Sequence, residues 1–156
     1  MVRSRSILSL ILLIAVVFLV SCGSPTVAKS SQTYTPGQIE QIQEYVPDLL
    51  ALRDRMSEIP VQIQRRDWIG VRNFIHGPLG ELRLKMTYIT RNLLPTEQKA
   101  ARQITRELFD DLVKVEQAIE ENSTQGAVRN YQTALADINE FVDLIPKQAV
   151  PAQLEE

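Results

Sequence analysis

The sequence predicts an all-α protein whose folded part is a four-helix bundle in up-down-up-down order. Apolar residues recur at steps of three or four along the long segments after residue 30, which is the spacing of a helix face packed on a core. No segment there alternates apolar and polar residues over the length of a strand. Prolines and polar runs divide the pattern into four segments with short connections, which favours antiparallel neighbours.

The chain divides by composition into four parts. It has 156 residues, of which 44% are hydrophobic, and this size suits a single domain with one core. The sequence predicts a signal peptide at 1–21, a lipidated flexible tether at 22–34, the helical bundle at 35–147 and a loose acidic tail at 148–156.

The first 22 residues have the order of an export signal. Arg3 and Arg5 precede the apolar run 7–20, which is shorter than the roughly 20 residues that a helix needs to cross a bilayer. Leu19-Val20-Ser21-Cys22 follows and resembles the lipobox of bacterial lipoproteins. This resemblance implies that Cys22 is acylated and becomes the first mature residue. The alternative is an uncleaved membrane anchor with an incidental cysteine.

The first helical segment opens with capping chemistry and contains an internal proline. Thr35 and Gln38 form the pattern of a capping box. Pro47 interrupts the apolar stripe, so Pro36–Val46 is expected as a separate, frayed piece. The main helix is predicted from Pro47 to about Ser57, and Ile59-Pro60 is predicted to end it. The stripe contains Ile39, Ile42, Val46, Leu49, Leu52, Met56 and Ile59.

The second helical segment is predicted from Asp67, a candidate N-cap, to about Leu93. Pro78 lies within it, lacks an N–H and clashes with the carbonyl of Phe74 in a straight helix. We therefore expect a bend near His76-Gly77. Its stripe contains Val71, Ile75, Pro78, Leu82, Met86, Ile89 and Leu93.

The third and fourth segments have clearer boundaries. Pro95 starts the third, with Glu97 near its positive end. Ser123 or Thr124 is the N-cap of the fourth, and Pro146 stops it. The apolar stripe of the third segment contains Ala101, Ile104, Leu108, Leu112, Val115 and Ile119. The stripe of the fourth contains Val128, Tyr131, Leu135, Ile138, Val142 and Ile145.

The charge is slightly negative overall and unevenly distributed. The formal net charge is -2, and removing Arg3 and Arg5 from 17 basic residues leaves 15 against 19 acidic ones, about -4. This balance argues against nucleic acid as a partner. Basic residues dominate from Arg53 to Arg91 and acidic ones from Glu107 onward. The folded domain has either one basic and one acidic side or scattered solvated charge.

The sequence contains little that could perform catalysis. His76 is the only histidine, and neither a Glu-x-x-His pair nor a Cys-x-x-Cys-His haem motif is present. A lone histidine supplies one of the four ligands that structural zinc needs. His76 is therefore expected to bond a carbonyl freed by the bend or to face water, with a carboxylate-assisted surface metal site as the alternative. We predict a non-enzyme without a cofactor.

One stretch resembles a known family. Asp67-Trp68 followed by Asn73-Phe74-Ile75-His76-Gly77-Pro78-Leu79-Gly80-Glu81-Leu82-Arg83 resembles the signature of the PsbQ family. With the lipobox, the chain is similar to the cyanobacterial lipoprotein type of that family. It lacks the Pro-rich amino-terminal arm and transit leader of plant members, so plant binding modes are not carried over.

The resemblance implies a function as well as a fold. It implies a four-helix bundle that docks on the lumenal face of photosystem II, stabilises the oxygen-evolving complex and performs no redox step. The implied partners are the manganese-stabilising extrinsic subunit and the core antenna chlorophyll proteins. The implied location is the lumenal side of the thylakoid membrane, held by a lipid anchor. At the level of the family, the link to calcium is the manganese–calcium–chloride environment that the protein helps to hold.

Charge selects the residues expected to contact the partner. Arg65, Arg66, Arg72, Arg83 and Lys85 give the second segment a basic flank, joined by Trp68 and His76. Trp68 is either a packing group or a docking anchor, since tryptophan often marks interface hot spots. The alternative function is an envelope lipoprotein bundle that acts as a chaperone or metal-ion carrier.

Overall fold

The computed structural model describes residues 33–151, and every regular element in that range is helical. The predicted all-α class is confirmed. The elements are α1 (Pro36–Arg55), α2 (Glu58–Gln64), α3 (Trp68–His76), α4 (Pro78–Asn92), α5 (Pro95–Glu120), α6 (Thr124–Asp143) and a 3-10 helix (Lys147–Ala149).

Three helices begin at the caps that the sequence predicts. The Thr35 hydroxyl accepts from the Gln38 N–H at 3.3 Å, and the Gln38 side chain accepts from the Thr35 N–H at 3.0 Å. Asp67 and Ser123 each accept from the backbone N–H three residues later, at 2.9 and 3.1 Å. These bonds satisfy donors that a helix start leaves without partners.

The expectation of a separate piece at Pro36–Val46 is wrong, because α1 continues through Pro47. Pro47 is exposed, and a proline inside a helix costs about 3 kcal/mol. Ile42, Val46 and Leu49 on the same helix are fully buried, and each contributes roughly 1.5–3 kcal/mol. Burial on both sides of the proline therefore outweighs the lost hydrogen bond.

α1 ends at Arg55, close to the predicted Ser57 and before Ile59-Pro60, but the sequence did not predict the short helix α2 that follows. Ile59 and Pro60 lie in the first turn of α2, where a backbone N–H has no partner within the helix. Proline is tolerated at such a position. Ile59 and Ile63 are fully buried and hold this short helix on the core.

The predicted bend near His76-Gly77 is confirmed and divides the second segment into α3 and α4. Gly77 is the end of one helix and the start of the next, with φ -89 and ψ -96. Its N–H donates to the Asn73 carbonyl at 2.9 Å. A Cβ at Gly77 would lie 2.7 Å from that oxygen, so only glycine fits this bend.

A continuous core lies between the helices. α1 packs against α4 and the 3-10 helix, α5 against α4 and α6, and α2 against α3 and α6. The largest fully buried side chains are Phe141, Ile42, Leu49, Met56, Ile59, Ile63, Leu79, Leu82, Met86, Ile89, Leu93 and Leu108. The up-down-up-down order of the bundle stays a prediction.

The core stripe of the fourth segment agrees with the prediction at Tyr131, Ile138 and Ile145, which are buried, and is displaced by one residue at its other three positions. Val128, Leu135 and Val142 are only half-buried, whereas each residue before them is fully buried, namely Ala127, Ala134 and Phe141. Two small alanines allow close contact with α5, and a choice by hydrophobicity alone selects their larger neighbours. The predicted stripe of α5 is buried in full.

The ends of the described range are more ordered than predicted. Tyr34, the last residue of the predicted tether, packs against the core. Ala149 is fully buried, and the Gln148 carbonyl accepts from the Gln43 side chain at 2.8 Å, so the expected loose tail does not begin at residue 148. The signal at 1–21, Cys22, the tether before Thr33 and residues 152–156 lie outside the described residues. None of the helices in 33–151 is long and apolar enough to cross a bilayer.

Candidate docking surface

Arg65 and Arg66 lie at a sharp turn between α2 and α3. Arg66 has φ 55, in the left-handed region, and its N–H donates to the Ile63 carbonyl at 3.0 Å. The Asp67 N–H donates to the Gln62 carbonyl at 2.9 Å. Glycine usually occupies the left-handed position of this motif, and an L residue costs about 1–2 kcal/mol there.

This turn presents both charge and apolar surface. Arg65 and Arg66 are exposed and form no ion pair with any described residue. Ile69 is 73% exposed and Val61 46%. Trp68 is half-buried and packs against the core, so it is a packing group with an accessible part. We call these five residues the α2–α3 corner.

α3 and α4 lie along α5, and their contact line carries three of the predicted site residues. Arg72 Nη2 lies 3.4 Å from Glu120 Oε1. His76 Nε2 lies 2.8 Å from Glu116 Oε1, with the histidine side chain 71% exposed. The Arg83 guanidinium carbon lies 3.8 Å from the centroid of the Phe109 ring on α5. We call this line the α5 seam.

The partner of His76 differs from the expected one. Its ring faces a carboxylate instead of a backbone carbonyl, although it is also exposed to water as expected. Within residues 33–151, no group of three or more His, Cys, Asp or Glu side chains is placed to hold a metal ion. In this range His76 is therefore a hydrogen-bonding partner of Glu116 between α3 and α5.

Lys85 belongs to a different surface. Its Nζ lies 2.6 Å from Asp48 Oδ2 on α1 and 5.7 Å from the Tyr45 ring centroid. The hydrogen bond to Asp48 is the main cause that raises the pKa of Lys85. Successive helical residues are rotated by about 100°, so Arg83 and Lys85 project toward opposite neighbours of α4.

The seven predicted docking residues are therefore not on one face. They divide into Arg65, Arg66 and Trp68 at the corner, Arg72, His76 and Arg83 on the α5 seam, and Lys85 on the α1 side. The sequence prediction grouped them because they are close along the chain. Of the two charge arrangements that the sequence left open, a division into one basic and one acidic side does not hold at the seam, where glutamates of the acidic segment meet the basic one.

A basic group on α5 was not predicted as a site. Lys99, Arg102 and Arg106 are exposed, and none forms an ion pair with a described residue. Arg91 of α4 lies beside Arg102, since both line one small cleft. The sequence signal was the spacing of three and four residues, which places three cations on one helix face.

Acidic groups are concentrated on the α6 side of α5. The Asp137 Oδ2 atom is buried without a hydrogen-bond partner among the described residues. Burial raises the pKa of Asp137 to about 6, with further contributions from Asp111, Glu107 and Glu140. Asp111 is only 6% exposed and is paired with Lys114. Like charges therefore lie close together here.

The start of the described chain is fixed to the turn between α4 and α5. The Tyr34 hydroxyl donates to Glu97 and lies 3.5 Å from the Leu94 nitrogen. Burial and the bond to Glu97 raise the pKa of Tyr34 to about 12. A groove of about 680 Å³ opens beside these residues, and its lining contains neither histidine nor cysteine.

The fold is that of an all-helical domain, and the comparisons identify its family. The family model for PsbQ, oxygen evolving enhancer protein 3, matches residues 3–146. CyanoQ from Synechocystis sp. is 38% identical over 148 residues, which cover 94% of this chain and 99% of that protein. The chain belongs to the PsbQ family, whose members are extrinsic subunits of photosystem II.

Proposed function

We propose that this protein docks on the lumenal face of photosystem II and stabilises the oxygen-evolving complex without a chemical step of its own. The observation that carries the proposal is the similarity to CyanoQ over 94% of the chain. The mechanism is mass action, because a protein that binds only the assembled complex shifts the equilibrium toward it. The proposed partners are the manganese-stabilising extrinsic subunit and the core antenna chlorophyll proteins.

The proposed attachment to the thylakoid membrane is acylation of Cys22. A single acyl chain binds a membrane only marginally, whereas two or more give stable anchoring. Replacing Cys22 by serine should therefore move the protein from the membrane to the soluble fraction. Retention of Cys22→Ser on the membrane would contradict acylation.

The proposed contact surface is the α2–α3 corner. Arg65 and Arg66 are available to an acidic partner because no described carboxylate neutralises them. Ile69 adds apolar surface, 73% exposed. Arg66 occupies a position that glycine would fill at lower energy, so folding alone does not account for a long basic side chain there.

The test is recovery with photosystem II from solubilised membranes. The tagged wild-type protein should copurify with the photosystem, and Arg65→Glu/Arg66→Glu should weaken recovery, more so at high salt because exposed charges are screened. The matched control is Arg129→Glu/Lys147→Glu, which makes the same change of charge at exposed residues elsewhere. Recovery of the wild type only with the outer envelope would instead support the envelope lipoprotein.

A second variant separates docking from folding. Arg66→Gly relieves the left-handed backbone, so its stability should rise by about 1 kcal/mol, while the loss of the guanidinium should still weaken recovery. Equal recovery of this variant and the wild type would remove Arg66 from the contact surface.

A further inference from the structure

A small cleft lies between the C-terminal half of α4 and the N-terminal half of α5. It has a volume of about 200 Å³ and is lined by Thr87, Thr90, Arg91, Arg102 and Thr105. Ligand and cofactor sites usually span roughly 300–1,000 Å³, so this cleft is better suited to one side chain. We call it the Arg91–Arg102 cleft.

The cleft has positive charge that the described residues do not neutralise. Neither Arg91 nor Arg102 forms an ion pair within 33–151. Lys99 and Arg106 line an adjoining cleft that also contains Arg102. Glu107 is the carboxylate of that neighbouring cleft, and it accepts a hydrogen bond from Gln103 at 3.0 Å. The local field therefore favours an anionic group.

The threonine hydroxyls of the cleft are already used within their own helices. Thr87, Thr90 and Thr105 each donate their hydroxyl to the carbonyl four residues earlier, at 2.8, 2.7 and 2.7 Å. A hydroxyl has one proton, so these side chains offer an anion no donor. The two guanidiniums supply the donors, and their forked geometry matches the two oxygens of a carboxylate. Guanidiniums also bind phosphate in this way, so it is the volume of about 200 Å³ that favours one carboxylate side chain over a phosphodiester headgroup.

Gln98 holds the guanidinium of Arg102 against the end of α4. Its side-chain nitrogen donates to the carbonyls of Leu93 and Arg91, at 2.9 and 3.3 Å. Its oxygen accepts from Arg102 Nη1 at 3.2 Å. One amide therefore joins the end of α4 to the guanidinium of α5. Such preorganisation lowers the entropy lost when a partner binds.

We propose that the Arg91–Arg102 cleft receives an aspartate or glutamate side chain from an acidic segment of a partner protein. The carboxylate lies between the two guanidiniums, and its aliphatic stem contacts the threonines. This inference deepens the proposed function, on which it rests, by naming the chemistry of one contact. The cleft is separate from the α2–α3 corner.

The first test is rebinding of the full mature protein to photosystem II that lacks it. Arg91→Glu/Arg102→Glu should weaken rebinding by at least about tenfold, while the Arg129→Glu/Lys147→Glu control binds normally. Normal rebinding of the cleft variant would overturn this inference and leave the proposed function intact. Failure of the wild type to rebind would overturn both.

A second variant separates insertion into the cleft from long-range attraction. Thr105→Met fills the cleft without changing the charge, and it should weaken rebinding at both low and high salt. Thermal unfolding verifies that the variant is folded. If charge reversal weakens rebinding but a folded Thr105→Met protein binds normally, the charges act only by steering, and insertion is wrong.

A third experiment identifies the class of partner. Arg102→Lys keeps the charge and supplies an amine that a carbodiimide can couple to a carboxylate in contact. We expect a cross-link to an Asp or Glu of a photosystem subunit, absent in an Arg129→Lys control. Binding of Cys22→Ser protein without residues 1–21 to phosphatidylglycerol vesicles, lost in the cleft variant, would assign the cleft to a lipid headgroup and overturn the proposal.

Discussion

The two ends of the line where α3 and α4 meet α5 carry similar basic residues with different surroundings. At one end Arg72 and His76 meet two glutamates of α5. At the other end Arg91 and Arg102 line a cleft with threonines. A cation that already faces a carboxylate attracts an acidic partner less than an unpaired one. The facing helix therefore decides which basic residues remain available for docking.

The difference between the two ends affects which basic residues are available to a partner more than it affects the stability of the fold. Exposed ion pairs contribute about 0–1 kcal/mol, so the pairs of Arg72 and His76 add little to folding. The main effect of the Arg72–Glu120 pair is to cancel charge at the α3 end of the seam. Basic residues that look alike in the sequence can thus lie on a neutralised surface or on one that keeps its positive charge.

The largest expected effect comes from removing core packing beneath the line where α4 meets α5. Leu82 and Leu108 are fully buried, and replacing either by alanine should cost about 2–5 kcal/mol in the free energy of unfolding. Thermal denaturation followed by circular dichroism measures the loss. Leu84→Ala is the control, since that side chain is 51% exposed and its loss should matter little. Wild-type stability of the buried variants would show that the core is assigned wrongly.

The next effect concerns the α6 side of α5, where like charges lie together instead of facing opposite ones. The folded-state pKa of Asp137 is about 6, above the ordinary 3.8. The folded state therefore binds the proton more tightly, and this contribution to stability is present below pH 4 and lost as pH rises through 6. At pH 7, Asp137→Asn should stabilise the protein by about 1 kcal/mol, because the carboxylate is partly solvated.

Urea unfolding at pH 4 and pH 7 measures this effect of Asp137. The gain in stability from Asp137→Asn should grow between the two values, because only the charged form is unfavourable. Glu40→Gln, at an exposed carboxylate of α1, is the control. A constant difference between the variant and the wild type would contradict the assignment of the raised pKa to Asp137.

A smaller effect concerns the middle of the seam, where Arg83 is held by an aromatic ring instead of a carboxylate. Its guanidinium carbon is 3.8 Å from the Phe109 ring centroid, and an exposed contact of this kind contributes about 0.5–1 kcal/mol. A double-mutant cycle with Arg83→Ala and Phe109→Leu should recover that coupling energy. Additive losses would show that the two side chains do not interact.

The smallest effect comes from removing the two carboxylates at the α3 end of the line, so that the basic residues at both ends lack a facing carboxylate. Glu116→Gln/Glu120→Gln leaves Arg72 and His76 without their carboxylates and should lower stability by about 0.5 kcal/mol. Rebinding to photosystem II should remain at the wild-type level, because the proposed contacts lie at the α2–α3 corner and the Arg91–Arg102 cleft. A loss of more than about 2 kcal/mol in thermal unfolding would mean that the pairs hold α3 on α5.

The sequence predicted the features of the fold that local chemistry determines. The caps at Thr35, Asp67 and Ser123 and the bend at Gly77 depend on a few neighbouring residues, and all four are confirmed. The path through Pro47 was mispredicted, because the burial that offsets the proline comes from other helices. Tertiary packing overrides local preference in such cases.

The candidate site was less predictable for a similar reason. Arg72 pairs with Glu120 across 48 residues, and Lys85 with Asp48 across 37, so neither neutralisation is visible in the local sequence. The cleft also depends on Gln98, an amide with no distinguishing pattern around it. The spacing of basic residues on α5 is visible in the sequence. The cleft exists only because threonines of α4 face these residues in the fold.

The single tryptophan of the chain provides a reporter for the two proposed contacts. Trp68 is half-buried at the start of α3, four residues before Arg72. Arg72 pairs with Glu120 of α5, and Glu120 lies 18 residues from Arg102 on the same helix. That separation is about 27 Å along the helix. A ligand that covers the corner would dehydrate the indole and shift its fluorescence to shorter wavelengths, whereas an acidic peptide in the cleft would leave the emission unchanged.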